Sequence, residues 1–367
     1  MVAKRQVALF NFDHGRNVPA KFRFGPFEIV VSASNVRSVA RVARHARVTF
    51  TYDSAGNPIV QQEPARSGRA GATASVRRID EGENRSLLFS EVPNADGFSD
   101  LSAILSFMTG RQVFLERDKT GYEARFHGEF LVGSNYFAHG LIEWPDLEQV
   151  VNRGLQAPFW ALIQSNLTPD LIGQMCYASA VLDAISTEWF AAQPKAQDIS
   201  PSLLKDARKR VGEVIRDALG EHPFADDVLP RVGNLFSPSA LHKLESFLCA
   251  NELFPDSPSP EEISRLRLLN TVRNRVVHSA DVPTDLHPQF VRRGEIAAAT
   301  LSVTKEICFI YFSALLGIRD FEIDASARVV RDFFKTGEFR GHRVFDEDYE
   351  NFATRQKEAW IADSTII

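Results

Sequence analysis

The sequence contains few of the groups from which metal and cofactor sites are built. Its 367 residues include three cysteines, three methionines and nine histidines. The cysteines form no Cys-x-x-Cys pair, and the histidines have no metal-ligand spacing. Phosphate-binding glycine loops, nucleophile elbows and His-Glu-x-x-His motifs are also missing. We therefore expect neither a metal nor a cofactor. Three dispersed thiols argue against a disulfide framework and favour a reducing, cytoplasmic compartment.

Long hydrophobic runs are missing as well. The longest apolar stretch, 296–318, has Lys305 and Glu306 at its centre. Charges at that position are typical of a buried bundle helix and not of a membrane span. The apolar stretch near the N-terminus is too short for a signal sequence. The sequence thus predicts no membrane contact.

Charge is unevenly distributed along a chain whose net charge is −5. Residues 1–80 hold 13 Lys and Arg against 5 Asp and Glu, whereas residues 81–150 hold 5 against 12. The basic segment is compatible with a nucleic-acid partner, or it pairs with the acidic segment behind it. Arg37, Arg41 and Arg44, at spacings of four and three, would form one stripe on a helix. They are candidate RNA contacts, and the alternative is a solvated helix face.

Hydrophobic periodicity predicts a β-rich first part, residues 1–148. Alternation of polar and apolar residues, as in Lys21-Phe22-Arg23-Phe24, indicates strands, and turn clusters predict hairpins at 48–60 and 111–130. One helix is expected at 98–108, where Gly110 would end it. We interpret this part as a recognition or sensor domain.

Helical periodicity dominates the second part, residues 155–320. Four helices are expected to begin at a Ser-Pro or Thr-Pro pair, including Ser237-Pro238, because the hydroxyl accepts a backbone N–H and proline has none to lose. Ser259 and Glu262 add a capping box. The predicted helices are 169–192, 201–219, 238–253, 260–278 and 288–316.

Short connections between these helices favour an up-down bundle. Together with the β-rich first part, this bundle gives the fold class α+β. Residues 321–367 are predicted to form a helical extension, with helices near 326–336 and 347–361.

One segment of the fourth bundle helix has a definable chemistry: Arg273-Asn274-x-x-x-His278. Arginine is a permanent cation whose planar fork fits a phosphate. Histidine both accepts and donates a proton near neutral pH. On a helix, Asn274 and His278 share a face, while Arg273 is about 140° round from His278. The three side chains can converge on one phosphate if the helix ends or loosens near His278.

This segment, in a bundle with a long apolar helix after it, resembles the HEPN superfamily, whose active members are metal-independent ribonucleases. The β-rich first part also resembles that of ApeA-like antiphage proteins, on the stretch 101–110. The resemblance implies that Arg273 binds the scissile phosphate, that His278 is a general base or acid, and that Asn274 orients one of them. It also implies a homodimer that cleaves RNA, single-stranded or tRNA-like, through attack of the 2′-hydroxyl. Such a protein would be a conditionally toxic antiphage effector, controlled by a phage-derived trigger or a regulatory protein.

Two acidic residues are candidates for a supporting role, which the resemblance places on the first bundle helix. Asp183 lies in an otherwise apolar stretch, 178–185, so it needs a buried partner or a water-lined cleft. Glu188 is the second candidate. Pairing of Asp183 with Arg273 is expected, either at the active centre or as a purely structural ion pair.

Alternative interpretations of the same residues stay open. Arg273 and Arg275 would also be favourable in the last turn of any helix, where cations stabilise the dipole and His278 would cap carbonyls. A non-catalytic HEPN module that dimerises, or that binds RNA, a nucleotide or a regulated partner protein, is the second alternative. In the catalytic interpretation, Arg275 is a further RNA contact.

Overall fold

The structure is a computed structural model that describes residues 6–12, 18–35, 47–52, 58–63, 72–80, 88, 97–110, 113–115, 143–168, 171–193, 201–220, 222, 228, 238–279, 293–318, 321–339 and 342–343. The fold class is α+β, as predicted: a five-stranded antiparallel sheet is followed by a mostly helical region. The chain forms two compact units, of which the first combines Met1–Ile185 with Ser257–Ile367 and the second is Ser186–Asp256.

The sheet belongs to the first unit and has the strand order β2-β3-β6-β1-β7. In chain order the strands are β1 (Gln6–Phe10), β2 (Ala20–Phe24), β3 (Phe27–Val31), β4 (Arg47–Tyr52), β5 (Pro58–Glu63), β6 (Ala74–Arg78) and β7 (Phe114–Leu115). The predicted hairpin at 48–60 is confirmed, because β4 pairs with β5. β7 pairs with β1, and the second strand predicted within 111–130 lies outside the described residues.

Alternation along the strands directs one face of the sheet into the core. Phe24, Phe27 and Ile29 are at most 1% exposed. The Phe27 ring contacts Phe98 at the start of α1 (Phe98–Thr109), with centroids 5.2 Å apart. α1 ends where predicted, at Gly110, whose φ of 64° is a left-handed conformation that glycine adopts without strain.

The helical region contains eight further described helices. They are α2 (Leu147–Asn152), α3 (Gln156–Leu167), α4 (Leu171–Ala192), α5 (Pro201–Leu219), α6 (Ala240–Ala250), α7 (Pro260–Ser279), α8 (Arg293–Leu315) and α9 (Phe321–Thr336). Two short strands, β8 (Glu338–Phe339) and β9 (His342–Arg343), form a hairpin after α9. The five predicted bundle helices are thus confirmed, with small shifts at ends such as that of α6, while residues 288–292 of the fifth lie outside the described residues. The predicted helix at 326–336 begins earlier, at Phe321, and the one at 347–361 lies outside the described residues.

The starts of α6 and α7 have serine caps, whereas those of α1, α2 and α3 have no side-chain cap hydrogen bond. At α7, the Ser259 hydroxyl accepts the N–H of Glu262 at 3.2 Å and the Ser259 N–H donates to the Glu262 carboxylate at 2.7 Å, so the capping box is confirmed. The predicted cap at Ser237 is wrong. α6 begins two residues later, and Ser239 accepts the N–H of His242 at 3.1 Å. Ser239 stands three residues before that donor, which is the spacing a cap requires.

α8 lies at the centre of the first unit and contacts α2, α3, α7 and α9. Its Phe309 and Phe312 form an aromatic cluster with Phe107 of α1 and Phe159 of α3, with ring centroids 5.1–6.5 Å apart. α1 therefore packs with bundle helices in one unit. The division into domains at 1–148, 155–320 and 321–367 stays a prediction.

The second unit contains the C-terminal end of α4 together with α5 and α6. Trp189 contacts Phe247 edge-on, with centroids 5.9 Å apart, and Phe190 contacts His242 in the same way. Among the described residues of the whole chain, no helix combines the length and the apolar character that a bilayer crossing requires.

Candidate functional site

α7 carries the predicted catalytic segment, and its packing fixes which side of the helix is buried. Leu266, Leu269 and Val272 are at most 2% exposed. Arg265 is 5% exposed, and its Nη1 donates to the carbonyls of Phe334 and Lys335 at the end of α9, at 2.7 and 3.0 Å. These contacts set the rotation of α7 and therefore the direction in which the next turns present their side chains.

The helix continues through Ser279. The backbone of His278 therefore lies in the last turn of α7, and Arg273 and Asn274 lie in the turn before it. This agrees with the condition stated for the motif, that the helix ends near His278. The side chain of His278 lies outside the described part of the structure.

Arg273 and Asp183 form an ion pair between α7 and α4. Nη1 of Arg273 lies 3.2 Å from Oδ1 of Asp183, and the two side chains are 13% and 53% exposed. The expected pairing is confirmed. Asp183 itself is half exposed, because its apolar neighbours Val181, Leu182 and Ile185 take the core side of α4, and its partner Arg273 is mostly buried.

Besides Nε of Arg265, whose guanidinium is anchored through Nη1, two buried polar atoms on α7 have no hydrogen-bond partner among the described residues. They are Nη1 of Arg273, whose close contact with Asp183 lacks hydrogen-bond geometry, and Oδ1 of Asn270. Leaving such a group unsatisfied costs about 1–3 kcal/mol. A donor and an acceptor three residues apart on one helix lie on one face, and the ion pair with Asp183 offsets part of this cost at Arg273.

Asn270 is a further candidate, which lies outside the Arg273-to-His278 motif. It precedes Asn274 by four residues, as Asn274 precedes His278 by four, so the three positions lie along one side of α7 with Arg273 beside them. The same four-residue spacing is visible in the sequence one turn before the motif. Asn270 and Asn274 are both half-buried.

Of the other predicted site residues, Arg275 lies on a different side of α7. Arg275 is half-buried and about 200° round α7 from Arg273. Glu188 is half-buried, belongs to the second unit and is about 140° round α4 from Asp183. Arg37, Arg41 and Arg44 lie outside the described residues. Within the described residues, no three His, Cys, Asp or Glu side chains group closely enough to hold a metal ion.

This arrangement can bind a phosphate at the edge of the core. The guanidinium is held mostly inside the protein and its carboxylate partner reaches solvent, so a phosphate that binds the cation must displace Asp183 or share the guanidinium with it. A guanidinium in such partly desolvated surroundings attracts a phosphate more strongly than one in water. No protein-family model, curated protein or solved structure matches the chain. A functional assignment must therefore come from this site.

Proposed function

We propose that the protein is a metal-independent endoribonuclease of the HEPN type. The observation that carries the proposal is a buried donor and a buried acceptor, Arg273 Nη1 and Asn270 Oδ1, which have no hydrogen bond among the described residues and lie on the helix that carries Asn274 and His278. Among the described residues, Arg273 Nη1 has an ion pair with Asp183 but no hydrogen bond, and Asn270 Oδ1 has no hydrogen bond, whereas a bound phosphate and ribose hydroxyl would provide both.

In this proposal, the imidazole of His278 takes the proton of a ribose 2′-hydroxyl as that oxygen attacks the adjacent phosphorus. Arg273 stabilises the negative charge that accumulates on the phosphoryl oxygens. The bond to the 5′-oxygen breaks, and that oxygen receives a proton from the His278 imidazolium of a second protomer. The products are a 2′,3′-cyclic phosphate and a 5′-hydroxyl end. DNA lacks the nucleophile and is not cleaved.

Asp183 would act as a positioning residue for Arg273. Before RNA binds, its carboxylate holds the guanidinium at 3.2 Å and compensates a charge that is mostly desolvated. Since Asp183 is itself half exposed, it can remain beside Arg273 while a phosphate approaches. In this proposal, Asn270 and Asn274 contact the phosphate or ribose or orient the imidazole.

The biological setting belongs to the same proposal. A homodimer brings two copies of the motif to one phosphate, and a nuclease with little sequence selectivity must be restrained until it is triggered. We place it in the cytoplasm as a conditionally toxic antiphage effector, with a phage-derived trigger or a regulatory protein as its partner.

The test is RNA cleavage in the presence of EDTA. Single-stranded RNA is incubated with the wild type, Arg273→Ala, His278→Ala and the control Arg267→Ala, which removes an exposed arginine from the same helix. Loss of the phosphate-binding cation should lower the rate about 10²–10³-fold, and loss of the imidazole about 10²–10⁴-fold, while the control cleaves like the wild type. Equal cleavage by all four proteins would point to a contaminant or to a different site.

The ion pair itself favours a second candidate function. Asp183 already neutralises Arg273 without a ligand, which suits a helical module that binds RNA or a partner protein and does not cleave. In that case RNA survives the assay although it binds. A pull-down from cells then separates an RNA-binding module from a regulatory subunit.

A further inference from the structure

The outward face of the five-stranded sheet carries three cations around one carboxylate. Arg23, Glu28 and Arg77 stand opposite one another across β2, β3 and β6, and Lys21 is two residues before Arg23. Nζ of Lys21 lies 3.0 Å from Oε2 of Glu28, and Nε of Arg77 lies 2.6 Å from Oε1. We call these four residues the basic face.

The strands hold the basic face toward solvent. Their alternate residues, including Phe24, Phe27 and Val76, are buried on the opposite face of the sheet, so a shift in register would bury the charges. The Lys21 and Arg77 side chains are 61% and 46% exposed, and Arg23 is exposed as well.

The basic face keeps a net positive charge after its cross-strand ion pairs with Glu28 are counted. Arg77, and after it Lys21, lowers the pKa of Glu28 below its usual value by hydrogen bonding, so Glu28 is an anion at neutral pH. Three cations against one anion leave a surplus of positive charge on three neighbouring strands. If the sheet needed only to balance Glu28, one cation would suffice.

We propose that the basic face binds the phosphate backbone of RNA. The choice of RNA among polyanions depends on the proposed function. Lys21 and Arg23 are about 7 Å apart along β2, and Arg23 and Arg77 are about 10 Å apart across two strand spacings. The flexible side chains can therefore reach separate phosphates. Neighbouring outward positions on these strands are Val30 and Ser75, so the face contacts the backbone and shows little base preference.

The experiment measures RNA affinity as a function of salt on the full-length protein. The probe is a fluorescent 20-nucleotide single-stranded RNA in which every 2′-hydroxyl is methylated, because it cannot undergo the proposed cleavage. Lys21→Gln combined with Arg77→Gln removes two cations of the basic face. Arg328→Gln combined with Lys335→Gln makes the same charge change at exposed positions of α9.

Each phosphate contact contributes about 0.7 to the slope of log affinity against log salt for single strands. The basic-face variant should therefore lower the magnitude of this slope by about 1.4, and the α9 variant should leave it unchanged. Thermal melting checks that both variants are folded. Equal slopes for a folded basic-face variant and the wild type overturn the inference and favour an acidic protein as the ligand of this face.

Glu28→Gln tests the same inference in the opposite direction. It removes the only carboxylate of the basic face and releases Lys21 and Arg77, so RNA should bind about fivefold more tightly at low salt. Unchanged or weaker binding contradicts the inference. Because the probe is not cleavable, these results stand apart from the nuclease assay. If the wild type cleaves RNA but the basic-face variant has an unchanged salt slope, only this inference is rejected. If the salt slope changes but the wild type does not cleave RNA, only the nuclease proposal is rejected.

Discussion

The guanidinium of Arg273 is mostly buried, and the carboxylate of Asp183, 3.2 Å from it, is half exposed. The two partners therefore differ in solvation. The cation depends on its partner because it has little water around it, whereas the anion loses little if the contact opens. Such a pair can hold the guanidinium in place and still admit a second anion.

Replacement of Asp183 by asparagine should separate positioning from stability. Because the carboxylate is exposed, we expect Asp183→Asn to lower the free energy of unfolding by less than about 1 kcal/mol. Misplacement of Arg273 should lower kcat for RNA cleavage about 10- to 100-fold. Urea unfolding and single-turnover cleavage measure the two effects. Asp324→Asn, at an exposed position of α9, is the matched control. A loss of several kcal/mol would instead indicate a purely structural ion pair.

Asn270 gives a prediction in which stability and activity change in opposite directions. Its Oδ1 is buried without a hydrogen-bond partner in the described structure, so Asn270→Leu replaces an unsatisfied group by an apolar side chain of similar size. We expect the free energy of unfolding to stay equal or to rise by about 1 kcal/mol, while RNA cleavage falls at least about tenfold. A strong loss of stability would show that Asn270 has a structural partner and would remove it from the site.

The sequence predicted the helix that carries this site better than the tertiary contacts around that helix. The capping box at Ser259 and the helical periodicity of 260–278 are local patterns, and they predict the helix correctly. The exposure of Asp183 was not predictable in the same way, because an apolar stretch of sequence does not reveal which direction the tertiary contacts leave open. Periodicity along one helix also cannot reveal that Arg265 binds carbonyls 69 and 70 residues away.

The capping box predicts the cost of losing a helix start. Ser259→Ala removes the acceptor for the Glu262 N–H and should lower the free energy of unfolding by about 1 kcal/mol. Ser264→Ala, inside the same helix, should change it by no more than about 0.5 kcal/mol. The measurement is urea unfolding followed by circular dichroism. Similar losses in both variants would mean that the cap contributes nothing specific.

Cys308 predicts a loss of stability at alkaline pH. Burial raises the pKa of its thiol far above the usual value, so the native state keeps a proton that the unfolded state releases. The unfolded state then binds fewer protons, and stability must fall as pH rises above the ordinary thiol pKa of about 8.5. The contribution reaches about 2 kcal/mol near pH 10. Cys308→Ala should lack this decrease, and Cys176→Ala, at a half-buried position, should retain it. Identical pH profiles for all three proteins would contradict the assignment.

The turn between β2 and β3 gives a last prediction. It compares a glycine where a side chain would overlap a neighbour with one where only the backbone conformation is unfavourable. Gly25 has a φ of +55°, and a Cβ atom there would lie 2.5 Å from the indole of Trp144. Gly154 has a similar φ of +67°, but a Cβ atom would meet nothing within 4 Å. Gly154→Ala should therefore cost only the left-handed conformation, about 1–2 kcal/mol. Gly25→Ala should cost about 1–3 kcal/mol more, because Trp144 also packs on Phe24 and Phe27 and cannot move away without opening the core. Thermal unfolding of the two variants, with Trp fluorescence for Gly25→Ala, gives the difference directly. If both variants lose the same stability, the Trp144 indole moves aside without a loss of free energy. In that case the contact with Trp144 is not the reason for glycine at position 25.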